Sequence, residues 1–452
     1  MRKFLLMLGF AASFFAVSAQ EQSAAQPEQK LVLTLEQALE IALSENPTIK
    51  IADQQIEIKR YAKQGTYASL YPQIDATASY QRVIKKQTMS MDFGGQTQTI
   101  KVGSDNSFNG GIAMGMPVIN AQLWESLKLS ALDVELAVEQ ARSSRIDMIE
   151  QVTKAYYGVL LAKESYSLFQ RVYDNAVSNN ELVKQRHNVG QVSDYDLISS
   201  NVSVQNALPN MIEGEYAVVL SLWNLKALLG IDLEKDIDVV GSLMDYVSLL
   251  DKGYQLSQID LQNNSALKQL DMQEQMLERA LKISKLANVP SLSINAAYLY
   301  TALGNDGKFF VKEAWNPYSY AGLQLNIPIF AGTKRRAATR EATLNLNNLQ
   351  LQRQNVERQL RVGIVQYLNN MQASVKKYHA SAATVDQAQH GYDIAVKRYD
   401  VGRGTLVDID NSQVALTQAE LGRNQAVYNF LTAKVSLDKI LGDYEFENEN
   451  KK

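Results

Sequence analysis

The 452-residue chain has no cysteine, only three histidines and only eight prolines. Without cysteine there can be no disulfide, no thiol nucleophile and no thiolate metal site, and no residue on which a bacterial lipid anchor could be built. Of the histidines, His379 and His390 lie three helical turns apart and His187 is remote from both, with no carboxylate-rich motif joining them. No Gly-Lys-Ser/Thr phosphate loop, Gly-x-Ser-x-Gly elbow or His-Glu-x-x-His occurs. Neither enzymatic chemistry nor a cofactor is expected. An excess of one charge is also missing: 45 basic residues face 48 acidic ones, with no basic arm, so nucleic acid is not an expected partner. Beyond the N-terminus no apolar run reaches the about 20 residues of a spanning helix.

The N-terminus itself reads as an address. Arg2 and Lys3 precede the apolar stretch Phe4–Val17, and Val17-Ser18-Ala19 is a cleavage pattern before Gln20. Residues 1–19 are therefore expected to be a Sec-type signal peptide. As a membrane anchor the stretch would be too short, and polar residues follow it.

The chain is written twice. Leu43-Ser44-Glu45-Asn46 with Lys50 returns as Leu261-Gln262-Asn263-Asn264 with Lys268. Pro72-Gln73-Ile74 returns as Pro290-Ser291-Leu292, and Met116-Pro117-Val118 as Ile327-Pro328-Ile329. Arg186-x-x-Val189-Gly190 with Asp196 returns as Arg398-x-x-Val401-Gly402 with Asp408, and Leu229-Gly230 as Leu441-Gly442. The conserved order divides the chain into a first repeat (20–230), a linker or equatorial segment (231–255), a second repeat (256–442) and a tail (443–452).

Each repeat is expected to run helix, strand, loop, strand, very long helix, tight turn, helix. In the first, a helix over 35–70 is capped by Thr34 and ended by Pro72. Strand 73–82 alternates Ile74, Ala76, Ala78 and Tyr80 with Asp75, Thr77, Ser79 and Gln81. A Gly-rich polar loop containing Gly94-Gly95 leads to a strand at about 107–117, closed by Pro117. The second repeat offers strands at about 291–300 and 318–330, with Leu292, Ile294, Ala296, Tyr298 and Tyr300 on one face and Leu323, Leu325, Ile327 and Ile329 on another. Its loop holds Gly304-Asn305-Asp306-Gly307 and is flanked by Trp315, Tyr318 and Tyr320. About ten residues is what a tilted strand needs to cross a bilayer. A half-buried soluble sheet would alternate in the same way.

Helical hairpins are expected over 120–229 and 332–441. In the first, Met148, Val152, Ala155, Val159, Ala162, Tyr166, Phe169, Tyr173 and Ala176 step by four and three. In the second, Ile364, Leu368, Met371, Val375, Tyr378, Ala382, Val385, Gln389, Tyr392, Val396 and Tyr399 do the same. Sustained 3.5-residue spacing implies left-handed supercoiling on neighbouring helices, in a ring of helices or in an ordinary coiled-coil stalk. Each long helix ends in a glycine-capped turn, with Ser193 or Thr405 able to cap the returning helix.

The repeated Val-Gly-x-x-Ser/Thr-x-x-Asp turn, together with the strand pairs, resembles the TolC family of outer-membrane efflux proteins over nearly all of the chain beyond residue 19. The resemblance implies a mostly α-helical protomer contributing four strands to a 12-stranded membrane β-barrel in a homotrimer. Twelve helical legs would form a periplasmic tunnel about 100 Å long. It implies an exit duct in the outer membrane for efflux or type I secretion, partnered by a periplasmic adaptor and an inner-membrane pump of RND, ABC or MFS type. It carries a gate onto Asp196, Tyr399 and Asp408; the family's second acidic position is Asn411 here, with Asp410 beside it, and Arg403 is one residue out of place. Crowding of three Asp408 carboxylates would push their pKa upward; as ordinary first-turn acids, Asp196 and Asp408 would merely complement the helix dipole. Adaptor docking falls on Val189, Gly190, Gln191, Ser193, Val401, Gly402, Arg403 and Thr405. A non-transporting periplasmic scaffold or adaptor would share the long hairpins but not the membrane-length strand pairs.

Overall fold

The structure, a computed structural model, describes residues 30–94, 96–251, 260–305 and 315–442. The expected signal peptide, the tail at 443–452, part of the linker, and Gly95, Asp306 and Gly307 lie outside these residues.

Two helical hairpins dominate. Helix α3 runs Ala121–Asn188, 68 residues or about 100 Å, and α6 runs Lys334–Asp400, 67 residues. The returning helices α4 (Asp194–Leu229) and α7 (Leu406–Leu441) have 36 residues each and cover only about half that length. The remainder is covered by α2 (Pro47–Ala68) and α5 (Ser265–Leu286), 22 residues each, so that α2 with α4 flanks α3 on one side and α5 with α7 on the other. The expected apolar stripes face these neighbours: every residue named in them is buried or half-buried except Gln389, the polar one.

The single helix expected over 35–70 is two. Helix α1 (Leu35–Glu45), with the expected Thr34 cap, stops at Asn46, whose ψ of 127° is extended. Pro47 is the cause: it has no N–H for the α1 ladder, and its ring excludes helical ψ from the residue before it. At the same point α4 ends in Gly230, at φ +71°, where a Cβ would lie 2.8 Å from Asn46 Cα. The second repeat makes the same joint, with Gly442 at φ +71° and a Cβ that would lie 2.3 Å from Asn263 O.

Four strands form one antiparallel sheet in the order β2-β5-β7-β8: β2 Gln73–Arg82, β5 Asn106–Ile119, β7 Ser291–Gly304 and β8 Trp315–Asn326. The two repeats are joined by the β5–β7 ladder. Strand β2 has the expected bounds, whereas β5 and β7 are longer than read from the sequence and β8 starts three residues earlier and stops four earlier. Pro117 does not close β5; it lies inside the strand at a register irregularity, two residues beyond the last residue paired to β2, where its missing N–H leaves that ladder intact. Pro328, Ile327 and Ile329 fall outside β8. The expected loop after β2 is instead a separate hairpin, β3 (Gln87–Phe93) with β4 (Gln96–Val102).

The segment after α4 is more than a linker. Strand β1 (Leu31–Leu33) pairs in parallel with β6 (Ile237–Val239), and a 3-10 helix follows at Leu243–Leu249. Buried Tyr156 of α3 donates its hydroxyl to Val240 O at 2.6 Å, and Glu164 accepts from Leu243 N at 2.8 Å and Ser242 Oγ at 2.7 Å. These ties seat β1, β6 and the 3-10 helix on the main apolar core, where Leu33, Ile237 and Leu243 meet Val152 of α3 and Phe430 of α7.

Candidate functional site

The sheet has two chemically distinct faces. Directly paired residues share a face, so Ile74–Met114–Ala296–Ala321 and Ala76–Ile112–Tyr298 form apolar rows across the strands, with Ile294 opposite Leu323 and Leu292 opposite Leu325. Tyr80, Phe108 and Trp315 close this face at the end far from the helices, with ring centroids 4.5 Å and 6.1 Å apart in succession. The other face carries Gln73, Asp75, Thr77, Ser79 and Gln81. Across it Asn295 donates to Gln324 at 2.9 Å and Thr301 to Asn109 at 3.2 Å. Neither β2 nor β8 has a second partner strand among the described residues.

At the opposite end of the molecule stand the two turns. Gly190 (φ +76°) and Gly402 (φ +71°) let the chain close in the same pattern twice: Gly190 N donates to His187 O and Gln191 N to Arg186 O, both at 2.8 Å, while Gly402 N donates to Tyr399 O at 3.0 Å and Arg403 N to Arg398 O at 2.8 Å. This Schellman closure satisfies the last carbonyls of α3 and α6. It leaves Val189 and Val401 projecting, 68% and 69% exposed, beside exposed Gln191, Ser193, Arg403 and Thr405.

The expected gate acids have a local task. Ser193 Oγ accepts from Asp196 N at 3.2 Å while Asp196 accepts from Ser193 N at 3.2 Å and Ser193 Oγ at 2.8 Å. Thr405 and Asp408 repeat the box, with Thr405 N donating at 2.9 Å. Donation from the Thr405 backbone, then from its hydroxyl, holds the Asp408 carboxyl below its ordinary range. Within one protomer the direction is thus opposite to that expected from a crowded acidic ring. Asp196 also approaches Tyr399: burial, followed by the Asp196 charge, raises the phenol's pKa against the pull of Arg186.

The hairpins are joined by side chains the sequence reading did not select. Arg186, one turn before the first tip, pairs with Asp400 of the second at 3.2 Å and lies over the Tyr399 ring, 5.4 Å from its centroid. Its repeat equivalent, Arg398, donates instead to Arg403 O in its own turn at 3.3 Å. Only the recurrence of arginine at both tips hinted at this. Asp410, expected in the gate, accepts from Ser203 Oγ at 2.6 Å, tying α7 to α4. Farther up, Arg171 pairs with Glu420 at 3.1 Å and Asn175 donates to Gln413 at 3.3 Å. The Arg403 side chain is exposed at the tip. Among the described residues no grouping of His, Asp and Glu could hold a metal, and no helix is long and apolar enough to cross a membrane.

A two-faced, open-edged sheet of membrane-length strands carried on helical hairpins about 100 Å long defines an outer-membrane channel protein. The family profile described as outer membrane efflux protein matches twice, over residues 38–231 and 256–443, and the chain belongs to that family; its function is outer-membrane efflux transport. The chain is 22% identical over 377 residues to the outer membrane protein TolC of Vibrio cholerae, covering 83% of each. It is 22% identical over 416 residues to the alkaline protease secretion protein AprF of Pseudomonas aeruginosa, covering 90% of this chain and 84% of the relative. In fold it is similar to the CmeC outer membrane channel of Campylobacter jejuni, with a TM-score of 0.73 at 17% identity over 97% of this chain and 94% of that one.

Proposed function

We propose that three copies of this chain close into a single 12-stranded barrel continuous with a helical tunnel, forming the exit duct of a tripartite system. The observation that carries the reading is the pair of unpartnered edges. In lipid each unpaired backbone group costs several kcal/mol, and β8 of one copy pairing with β2 of the next removes every edge at once. The flanks agree with such closure: Ile51, Ile58 and Tyr61 on α2, and Leu344, Leu351 and Val362 on α6, are exposed apolar side chains suited to packing against a neighbouring copy.

In this reading the polar sheet face lines the pore, residues 1–19 direct export, and the fold alone, with no lipid anchor, holds the protein in the membrane. The helices lie in the periplasm. Asp196, Tyr399, Arg403, Asp408 and Asp410 belong to the gate, where Arg186 to Asp400 is the link between hairpins. The exposed turns at Val189, Gly190, Gln191, Ser193 and at Val401, Gly402, Arg403, Thr405 receive a periplasmic adaptor, which connects the duct to an RND, ABC or MFS pump. One relative is named for protease secretion and others for efflux of antibiotic and toluene, so the cargo class is small molecules or proteins.

Purified protein added to a planar bilayer tests this directly. Trimers giving unitary conductance steps are expected. A monomer that stays in solution without detergent and gives no conductance would point to a periplasmic scaffold.

A further inference from the structure

Charge is nearly excluded from the four barrel strands: only Asp75 and Arg82 are ionisable as Asp, Glu, Lys or Arg. Asp75 stands on the polar face. Arg82 does not: it follows Ile74, Ala76, Ala78 and Tyr80 by the two-residue step of a strand and so ends the apolar, lipid-side row, opposite Asn106. It sits one step beyond the Tyr80–Phe108–Trp315 aromatic group. Aromatic side chains gather at the level of the headgroups, so a cation one step farther out on the lipid side stands where lipid phosphate lies.

The surroundings strengthen the placement. Between β2 and the β3–β4 hairpin, residues 83–86 form a neck containing Ile84, which is 98% exposed, and Lys85. Lys101 lies across from Thr88 at the base of the hairpin. Lys86 is engaged, with Asp105 at 3.2 Å and Asn305 at 2.9 Å, and Val83 N donates to Asp105 O at 2.7 Å; these bonds fix the neck. The side chains of Arg82, Lys85 and Lys101 have no ion pair or hydrogen bond among the described residues. Three uncommitted cations and a bare isoleucine, at the end of a lipid-facing row, match an amphiphile with an anionic head and acyl chains.

We propose that this neck binds the phosphate groups of outer-leaflet lipid, with Arg82, Lys85 and Lys101 as the phosphate ligands. The assignment rests on the barrel reading above, which turns this end of the sheet to the cell surface. Binding here would brace the long β3–β4 hairpin, a two-stranded unit that has little stability alone.

The test uses the intact trimer in detergent, with thermal dissociation followed against added bisphosphorylated lipid A, its dephosphorylated form, or inorganic phosphate. The bisphosphorylated lipid is expected to raise the dissociation temperature while the other two do not. R82Q, K85Q and K101Q should each weaken the apparent affinity about fivefold, and the triple variant should abolish the effect, whereas R82K with K85R and K101R keeps it. Equal stabilisation by the dephosphorylated lipid or by free phosphate, or an undiminished response in the triple glutamine variant, would overturn the proposal. Conductance is recorded on the same preparations. A wild type that forms trimeric pores yet ignores lipid phosphate refutes this site alone, and a wild type that forms no pores refutes the barrel reading.

Discussion

Asn46 Nδ2 donates to Leu228 O at 2.7 Å, and 218 residues later Asn264 Nδ2 donates to Ile440 O at 2.7 Å. In both repeats one buried amide serves two helices. Its oxygen caps the entering helix, accepting from Thr48 N at 2.7 Å or Leu267 N at 3.0 Å, and its nitrogen satisfies a terminal carbonyl of the returning helix. The negative end of α4 thus abuts the positive start of α2, and α7 abuts α5 likewise, so two short helices act as one long leg.

N46A and N264A should each cost about 1–2 kcal/mol, from the lost cap and the orphaned carbonyl. N46D is more informative. Aspartate is as good a cap as asparagine, but it cannot donate and it brings a charge to the carbonyl end of α4. Thermal unfolding should show N46D at least as destabilised as N46A; wild-type stability in N46D would mean that the Leu228 bond is immaterial.

Removing the arginine that joins the tips should open the duct. R186Q and D400N are each expected to raise conductance in bilayers, and the double variant to match the singles rather than add to them, because both cut one link. Strictly additive increases would show that the two side chains act separately.

Glu125, near the start of α3, is buried among Lys128 at 2.9 Å, Lys282 at 2.8 Å and Arg279 at 3.1 Å. Hydrogen bonding from Lys282, then from Lys128, lowers its pKa from 4.5 to about 2. Because the folded value lies below the unfolded one, its contribution is complete above about pH 4.5 and is lost as pH falls toward 2. E125Q should therefore be less stable than wild type at neutral pH and should lose less between pH 4.5 and 2. Parallel curves of melting temperature against pH would contradict the assignment.

Among the glycines of the four-stranded sheet Gly111 is the tightest, where a Cβ would meet Tyr298 O at 2.3 Å and Leu299 Cα at 2.7 Å, whereas around Gly322 nothing lies within 4 Å. G111V should disrupt the β5–β7 ladder and lower the yield of trimer on native gels; G322A, on β8, should assemble normally.

Much of this architecture was legible in the chain itself. Alternation in Ile74–Tyr80 and the four-three spacing from Met148 to Ala176 state which face is apolar, because side-chain direction follows the backbone period. The glycines, Ser193 and Thr405 mark the turns, because capping chemistry is local. The break at Pro47 is also written there, although helical patterning continues on either side of it. The 3-10 helix and the β1–β6 pair gave little signal: three-residue strands have no period to read.

The residues alone determined the long helices, the strand faces, the duplication and the tips, since each depends on neighbours within a few positions in the chain. Only the tertiary structure decided which partners they took. That β5 should pair with β7 across the repeats, that Arg186 should reach Asp400 while its equivalent Arg398 turns back on its own loop, and that Asn46 should seal the end of a helix 182 residues away all depend on packing between distant segments. The duplicated turns share the arginine, the Val-Gly pair, a hydroxyl cap and its acid, but the position of Asp400 is Asn188 in the first turn, so the two tips carry different bonds.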